Sequence, residues 1–188
     1  MKMRKEGKPR PAPLGRSFWV IEDKLLAGFY PGDQDPKVAQ AKIGKLFEAG
    51  IRTFVNLMEV GETNWDRKPF VSYEKTASEI AAAKGETVAF ERLSIRDQGV
   101  PGAVFMTHIL DRIDASIGTG RPVYVHCWGG RGRTGTVIGC YLARHGVATG
   151  NEALQELNRL RSHTADADKQ APDTEAQRQF VRDWRPTT

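Results

Sequence analysis

Two side chains in this chain, Cys127 and Arg133, stand at a spacing that can do chemistry on an anion. Between them lie Trp128, Gly129, Gly130, Arg131 and Gly132, a run rich in glycine, and Thr134 and Gly135 follow. A glycine-rich loop between a strand and a helix N-terminus turns its backbone N–H groups into one concavity, and the helix dipole adds positive potential there. A thiol set in that ring of donors gives up its proton easily, because the thiolate is stabilised by the groups that would bind phosphate. Cysteines in such surroundings ionise at roughly 3.5–7.5 instead of about 8.5. Arg133 offers a planar fork of donors for two phosphate oxygens at once. Cys127 reads as a nucleophile, and Arg133 as a phosphate clamp. The usual nucleotide-binding loop ends in Gly-Lys-Ser/Thr, which is absent here.

The elements that must hold this loop are a strand and a helix. Pro122 to Val125 is an apolar run that ends in His126, and Thr136 to His145 reads as a buried helix. A leaving alkoxide or phenolate also needs a proton donor, and a carboxylic acid on a closing loop supplies one. Asp97 fits: it follows the strand expected over Thr87 to Leu93, lies thirty residues before Cys127 and is flanked by Gly99 and Pro101. The alternative is that Asp97 caps the helix starting near Pro101. Asp111 and Asp114 fall in the helical pattern Phe105 to Ile117 and read as surface residues.

The run His126-Cys-x-x-Gly-x-Gly-Arg-Thr-Gly135 closely resembles the active-site loop of the cysteine-dependent protein tyrosine and dual-specificity phosphatases. Asp97 and its neighbours resemble the general-acid loop of the dual-specificity branch. The resemblance implies an α/β fold, a central mostly parallel sheet flanked by helices, dual-specificity-phosphatase-like. It implies a phosphocysteine intermediate and no metal or other cofactor. It gives His126 the task of ordering the loop. Residues 173–181 are similar to the glutamine-bearing segment that orients the hydrolytic water in tyrosine phosphatases. Gln177 matches the second glutamine there, but Asp173 stands where the first would be. Thr134 is expected to hydrogen-bond the cysteine sulfur and help it leave.

Around this centre the chain reads in order as two short strands (17–21 and 24–28) and a helix started by Asp35-Pro36. The apolar face of that helix is Val38, Ile43, Leu46 and Phe47, and Gly50 stops it. A strand over Ile51 to Leu57 leads into a polar loop with Glu59, Glu62, Trp65 and Asp66. Such loops border the ligand crevice of parallel sheets, although its acidic residues also fit a plain solvated loop. Trp65 either flanks the substrate or anchors the loop. Val71 to Lys84 and Asn151 to Leu160 are further amphipathic helices, and residues 161–172 form a polar connection.

With 188 residues and 39% hydrophobic content, one globular domain is expected over 17–188. The net charge of +5 resides in residues 1–16, where six basic residues face Glu6. Prolines and glycines there predict an unstructured basic arm. No apolar span of membrane length and no signal-peptide core are seen, so a cytoplasmic monomer is expected. Two cysteines do not make a disulfide scaffold, and Cys140 on the apolar helix reads as structural.

The expected substrate is a phosphorylated protein or a phosphorylated small molecule or lipid, with no nucleic acid partner. A shallow, dual-specificity-like site is favoured. Arg131 occupies a place where phosphoinositide and inositol phosphate phosphatases also carry a basic residue, while Trp128 replaces their usual lysine. A polynucleotide 5′-phosphatase lacks support from any aromatic and basic stacking platform. A rhodanese-type sulfurtransferase would not need the acid or the Gly-Arg-Thr-Gly ending. An inactive phosphopeptide-binding module would lack one of Cys, Arg or acid.

Overall fold

The structure is a computed structural model that describes residues 10–185; residues 1–9 of the basic arm lie outside the described residues. Five strands form one sheet, β1 (Phe18–Ile21), β2 (Leu25–Gly28), β3 (Thr53–Asn56), β4 (Ala89–Arg92) and β5 (Val123–His126), in the order β1-β2-β5-β3-β4. Only the β1–β2 hairpin is antiparallel; β2, β5, β3 and β4 run parallel. β2, β5 and β3 are buried at every position, which requires cover on both faces. That cover comes from α1 (Pro36–Glu48), α2 (Glu74–Ala83), α3 (Ala103–Gly118), α4 (Gly132–Arg144), α5 (Gly150–Arg161) and α6 (Glu175–Asp183). α1 packs on α2, while α4 packs on α3, α5, α6 and the strands β2 and β5.

Local rules explain most element ends. Asp35 caps α1 by accepting from the Lys37 amide at 2.8 Å, with Pro36 in the first turn, and Gly50 turns the chain at φ +93°. The buried stripe of α1 is Ala39, Ile43, Leu46 and Phe47; Val38 is exposed, because Ala39 stands one turn before Ile43 and takes the inward position. α2 begins at Glu74, three residues later than its periodicity suggests, since Tyr73 turns inward and its hydroxyl hydrogen-bonds His126. α4 begins at Gly132, four residues earlier than expected, so Arg133 and Thr134 belong to its first turn.

Residues 10–16, expected to be unstructured, lie against the domain. Leu14 is buried in the core, a turn over 14–17 is closed by the Ser17 amide on the Leu14 carbonyl (2.9 Å), and the Gly15 carbonyl accepts from the Ala165 amide at 2.8 Å. Leu14 is the largest apolar side chain of residues 10–16 and helps dock them, since full burial of a leucine is worth about 2 kcal/mol. The connection over 162–173 is also ordered, wound about the buried Arg161. That guanidinium donates to the carbonyls of Lys169 and Asp166 and to the Asp166 carboxylate, each at 3.2 Å.

Candidate active site

β5 ends at His126 in the middle of the sheet and delivers Cys127 to the N-terminus of α4. The loop can fold this tightly because of Gly130, whose φ is +80°. A Cβ there would come within 2.7–2.8 Å of the Gly28 and Phe29 backbone. The Gly130 amide consequently faces the thiol and donates to Cys127 Sγ at 3.3 Å. Cys127 is almost wholly buried at the floor of a cleft of about 790 Å³, lined also by Trp128, Arg131, Arg133, Asp97 and Gln177.

His126 braces the loop from below. A carbonyl can only accept, so Nδ1 carries the proton and donates to the Cys127 carbonyl at 3.2 Å, leaving Nε2 to accept from the Tyr73 hydroxyl at 2.7 Å. Burial pushes the imidazole pKa down to about 3, with Arg92 and Arg133 adding to the shift, while the bond to Cys127 opposes it. The ring is therefore neutral, which rules it out as a cationic partner for the thiol. Tyr73 is held protonated by burial and so stays a donor.

Arg133 is buried, and both of its terminal nitrogens are partnered. Its two terminal nitrogens grip the Glu62 carboxylate, Nη2 at 3.0 Å from Oε2. Nη1 donates to the Ile95 carbonyl at 3.1 Å, and Nη2 pairs with Asp97 Oδ1 at 3.1 Å. Burial alone would lower the guanidinium pKa; the hydrogen bond to Glu62 and the nearby Cys127 and Asp97 raise it above its ordinary value. Asp97 itself sits in a turn over 96–99 with Gln98 at φ +58°, half-exposed over the cleft. α3 is capped at Gly102, so Asp97 does not cap it. Asp111 and Asp114 pair with Arg144 and His145 at the α3–α4 contact.

Two expected details differ. The Thr134 hydroxyl donates to the Gly28 carbonyl at 3.3 Å, so its single proton is directed at β2 and not at the Cys127 sulfur. Arg131 does not offer a free charge: Nη2 is 3.2 Å from Asp173 Oδ1, and Nε lies 3.9 Å from Asp166. Gln177 is buried. Its side-chain oxygen accepts from the Thr174 amide (3.1 Å) in a capping box, and its nitrogen donates to the Gly99 carbonyl (3.0 Å). It touches the loop as well, since a Cβ on Gly132 would meet its carboxamide at 3.0–3.2 Å. Gln177 thus joins the phosphate loop to the acid loop.

Trp128 makes one wall of the cleft. Its ring packs on Phe70 (centroids 5.4 Å apart) and on Trp65 (4.8 Å), and Trp65 is 87% exposed while lining the cleft. Of the partners of Arg133 and His126, Glu62 stood in the sequence only as one of several acidic residues in a polar loop, and Tyr73 was unmarked. Glu62 carried a positional signal, a loop at the carboxyl end of a parallel strand. Cys140 is fully buried, its thiol pKa is pushed up by burial, and it reads as a packing residue.

A cysteine and an arginine in one anion-binding loop between a central parallel strand and a buried helix define a cysteine-dependent phosphatase of the dual-specificity type. The model of the PTP-SAK family, the DSP-PTPase phosphatase domain of Swiss Army Knife proteins, matches residues 19–188, and the chain belongs to that family. It is similar to phosphatidylglycerophosphate phosphatase PTPMT2 of Arabidopsis thaliana, 27% identical over 144 residues, 75% of this chain and 54% of that protein. The chain spans about half the length of the curated relatives it matches. Its fold resembles that of P. aeruginosa TpbA in complex with pTyr (TM-score 0.66, 14% identity, 93% and 87% of the two chains covered). It also resembles PTPMT1 in complex with PI(5)P (TM-score 0.58, 22% identity, 85% and 91% covered). Among the described residues no helix is long and apolar enough to cross a membrane.

Proposed function

We propose that the protein is a protein tyrosine or dual-specificity phosphatase that works through a phosphocysteine. The observation that carries this reading is the convergence of Cys127, whose Sγ accepts from the Gly130 amide, with Arg133 and Asp97 on one cleft. In the first step the Cys127 thiolate attacks phosphorus, the S–P bond forms and the ester P–O bond breaks, while Asp97 gives its proton to the leaving oxygen. Arg133 exchanges the carboxylates of Glu62 and Asp97 for two equatorial phosphate oxygens, and the loop amides hold the rest. In the second step water attacks phosphorus, Asp97 takes its proton, and the S–P bond breaks to give inorganic phosphate and the thiolate. Gln177, wedged between the two loops, is the residue assigned to hold that water. His126 keeps the Cys127 carbonyl, and with it the loop, in place. A free thiol nucleophile needs a reducing compartment, which makes the cytoplasm the natural setting.

Two features favour phosphorylated peptide over inositol compounds. Arg131, the extra cation that a polyphosphate would seek, is already neutralised by Asp173 and Asp166. The Trp65–Trp128 wall offers aromatic surface to a phenyl ring. The test is phosphate release from phosphotyrosine and phosphothreonine peptides, phosphoinositides and inositol polyphosphates at equal concentration, with Cys127→Ser as the blank. Turnover highest on the peptides is expected. Turnover confined to inositol compounds assigns a lipid or inositol phosphatase instead, and no turnover on any phosphoester removes the enzymatic reading.

A further inference from the structure

Beside the catalytic cleft, on the other side of Trp128, lies a second cleft of about 220 Å³. Its walls include the rings of Phe29, Tyr30, Phe70 and Trp128, and its rim carries Arg16 and Lys42. The two cations are not alike. Lys42 is neutralised by Asp33, Nζ to Oδ2 2.7 Å, and that hydrogen bond holds the Asp33 carboxyl below its ordinary pKa. Arg16 is exposed and has no carboxylate partner among the described residues; its guanidinium lies over the Phe29 ring, 4.3 Å from the centroid. Its backbone is nevertheless held, by the turn that Leu14 and Ser17 close and by the Gly15–Ala165 hydrogen bond. Arg16 is also the one cationic side chain that lines both clefts.

We propose that this second cleft is a specificity subsite that receives a glutamate or aspartate side chain near the phosphorylated residue of a peptide substrate, with Arg16 as the residue that reads its charge. The inference rests on the peptide phosphatase reading above. A guanidinium stacked on an aromatic ring keeps its in-plane N–H donors free for a carboxylate while losing little rotamer freedom on binding. The surrounding rings suit the aliphatic stem of such a side chain. Because Lys42 and Asp33 cancel, the cleft carries the charge of Arg16 alone, which matches a single carboxylate better than a polyphosphate.

The experiment compares kcat/KM for phosphotyrosine peptides in which Glu or Gln is scanned through the positions flanking the phosphotyrosine, with p-nitrophenyl phosphate in parallel. At the best position the Glu peptide should be preferred about fivefold, the size of one partly exposed ion pair. The preference should shrink at high salt. Arg16→Gln should bring the Glu-to-Gln ratio to about one, and Asp33→Asn, which frees Lys42, should raise it. A ratio of one at every position in the native protein, or a Glu preference unmoved by Arg16→Gln, overturns the subsite even while p-nitrophenyl phosphate and peptides are hydrolysed. Faster turnover of an inositol polyphosphate than of any peptide overturns it as well. Loss of all hydrolysis would instead remove the reading on which it rests.

Discussion

The floor of the active site and its rim are built differently. Every residue of α4 from Gly132 to Ala143 is buried, and the loop before it is braced by the Tyr73–His126 pair, by the Gly28 backbone and by Gln177. The rim consists of two exposed loops: Asp97 is 52% exposed in its side chain and Trp65 is 87% exposed as a residue. On the function proposed above, the difference teaches that anion binding would be a property of the hydrophobic core, with proton donation and substrate contact added from the surface. Damage to the floor should therefore cost both stability and turnover, and damage to the rim should cost turnover alone.

Arg133→Lys tests the floor and has the largest expected effect. Lysine cannot span Glu62, Ile95 and Asp97 together, nor grip two phosphate oxygens, and loss of such preorganised donors lowers kcat on the order of 10³-fold. The Glu62 carboxylate, whose side chain is 14% exposed, loses its bidentate partner, so Tm should fall too. Kinetics and a thermal melt on the same sample check both halves. An inactive variant with an unchanged Tm would break the link between core and anion site.

Asp97→Asn tests the rim. The amide keeps the shape but cannot give up a proton, so kcat on phosphotyrosine peptide should fall on the order of 10²-fold with Tm unchanged. p-Nitrophenyl phosphate, whose leaving group needs less help, should lose less. Equal losses on the two substrates would show that Asp97 acts by pairing with Arg133 and not as an acid.

His126 gives the floor a pH signature. Its pKa is about 3 in the folded chain against 6.5 for the free side chain. Between those values the unfolded state binds the extra proton, so stability is fully present above pH 6.5 and is lost as pH falls toward 3. The slope approaches about 1.4 kcal/mol per pH unit. Urea midpoints from pH 7 to pH 4 should fall more steeply for the native protein than for His126→Asn, although the variant is the weaker of the two at pH 7. Parallel curves would mean that the imidazole is not buried neutral.

The same division decides what could be read from the sequence. The floor was legible because its parts are consecutive: β5, the loop and α4 occupy 123–144, although α4 starts four residues before its apolar pattern does. Asp97 was legible because turn residues surround it. Glu62 was not, since its partner is 71 residues away and a glutamate in a polar loop looks the same whether it grips Arg133 or faces water. Tyr73 gave no sign either, because an inward hydroxyl and a surface one share one letter. Arg131 and Thr134 were misjudged for a related reason. Their partners Asp166, Asp173 and the Gly28 carbonyl come from other parts of the chain and take up the Arg131 charge and the Thr134 proton that the sequence alone left for the substrate and for the Cys127 sulfur.

Trp65→Ala has the smallest expected effect and separates the rim most cleanly from the floor. The Trp65 ring packs on Trp128, at 4.8 Å between centroids, and removing so exposed a side chain should change stability by no more than about 0.5 kcal/mol. An aromatic contact is worth about 0.5–1.5 kcal/mol, so KM for a phosphotyrosine peptide should rise roughly threefold to tenfold with kcat held. A phosphothreonine peptide, which has no ring to lay against the wall, should lose less. If both peptides suffer alike, Trp65 is a loop anchor that positions Glu62 and hence Arg133. In that case the 58–70 loop belongs energetically to the floor, despite its exposure.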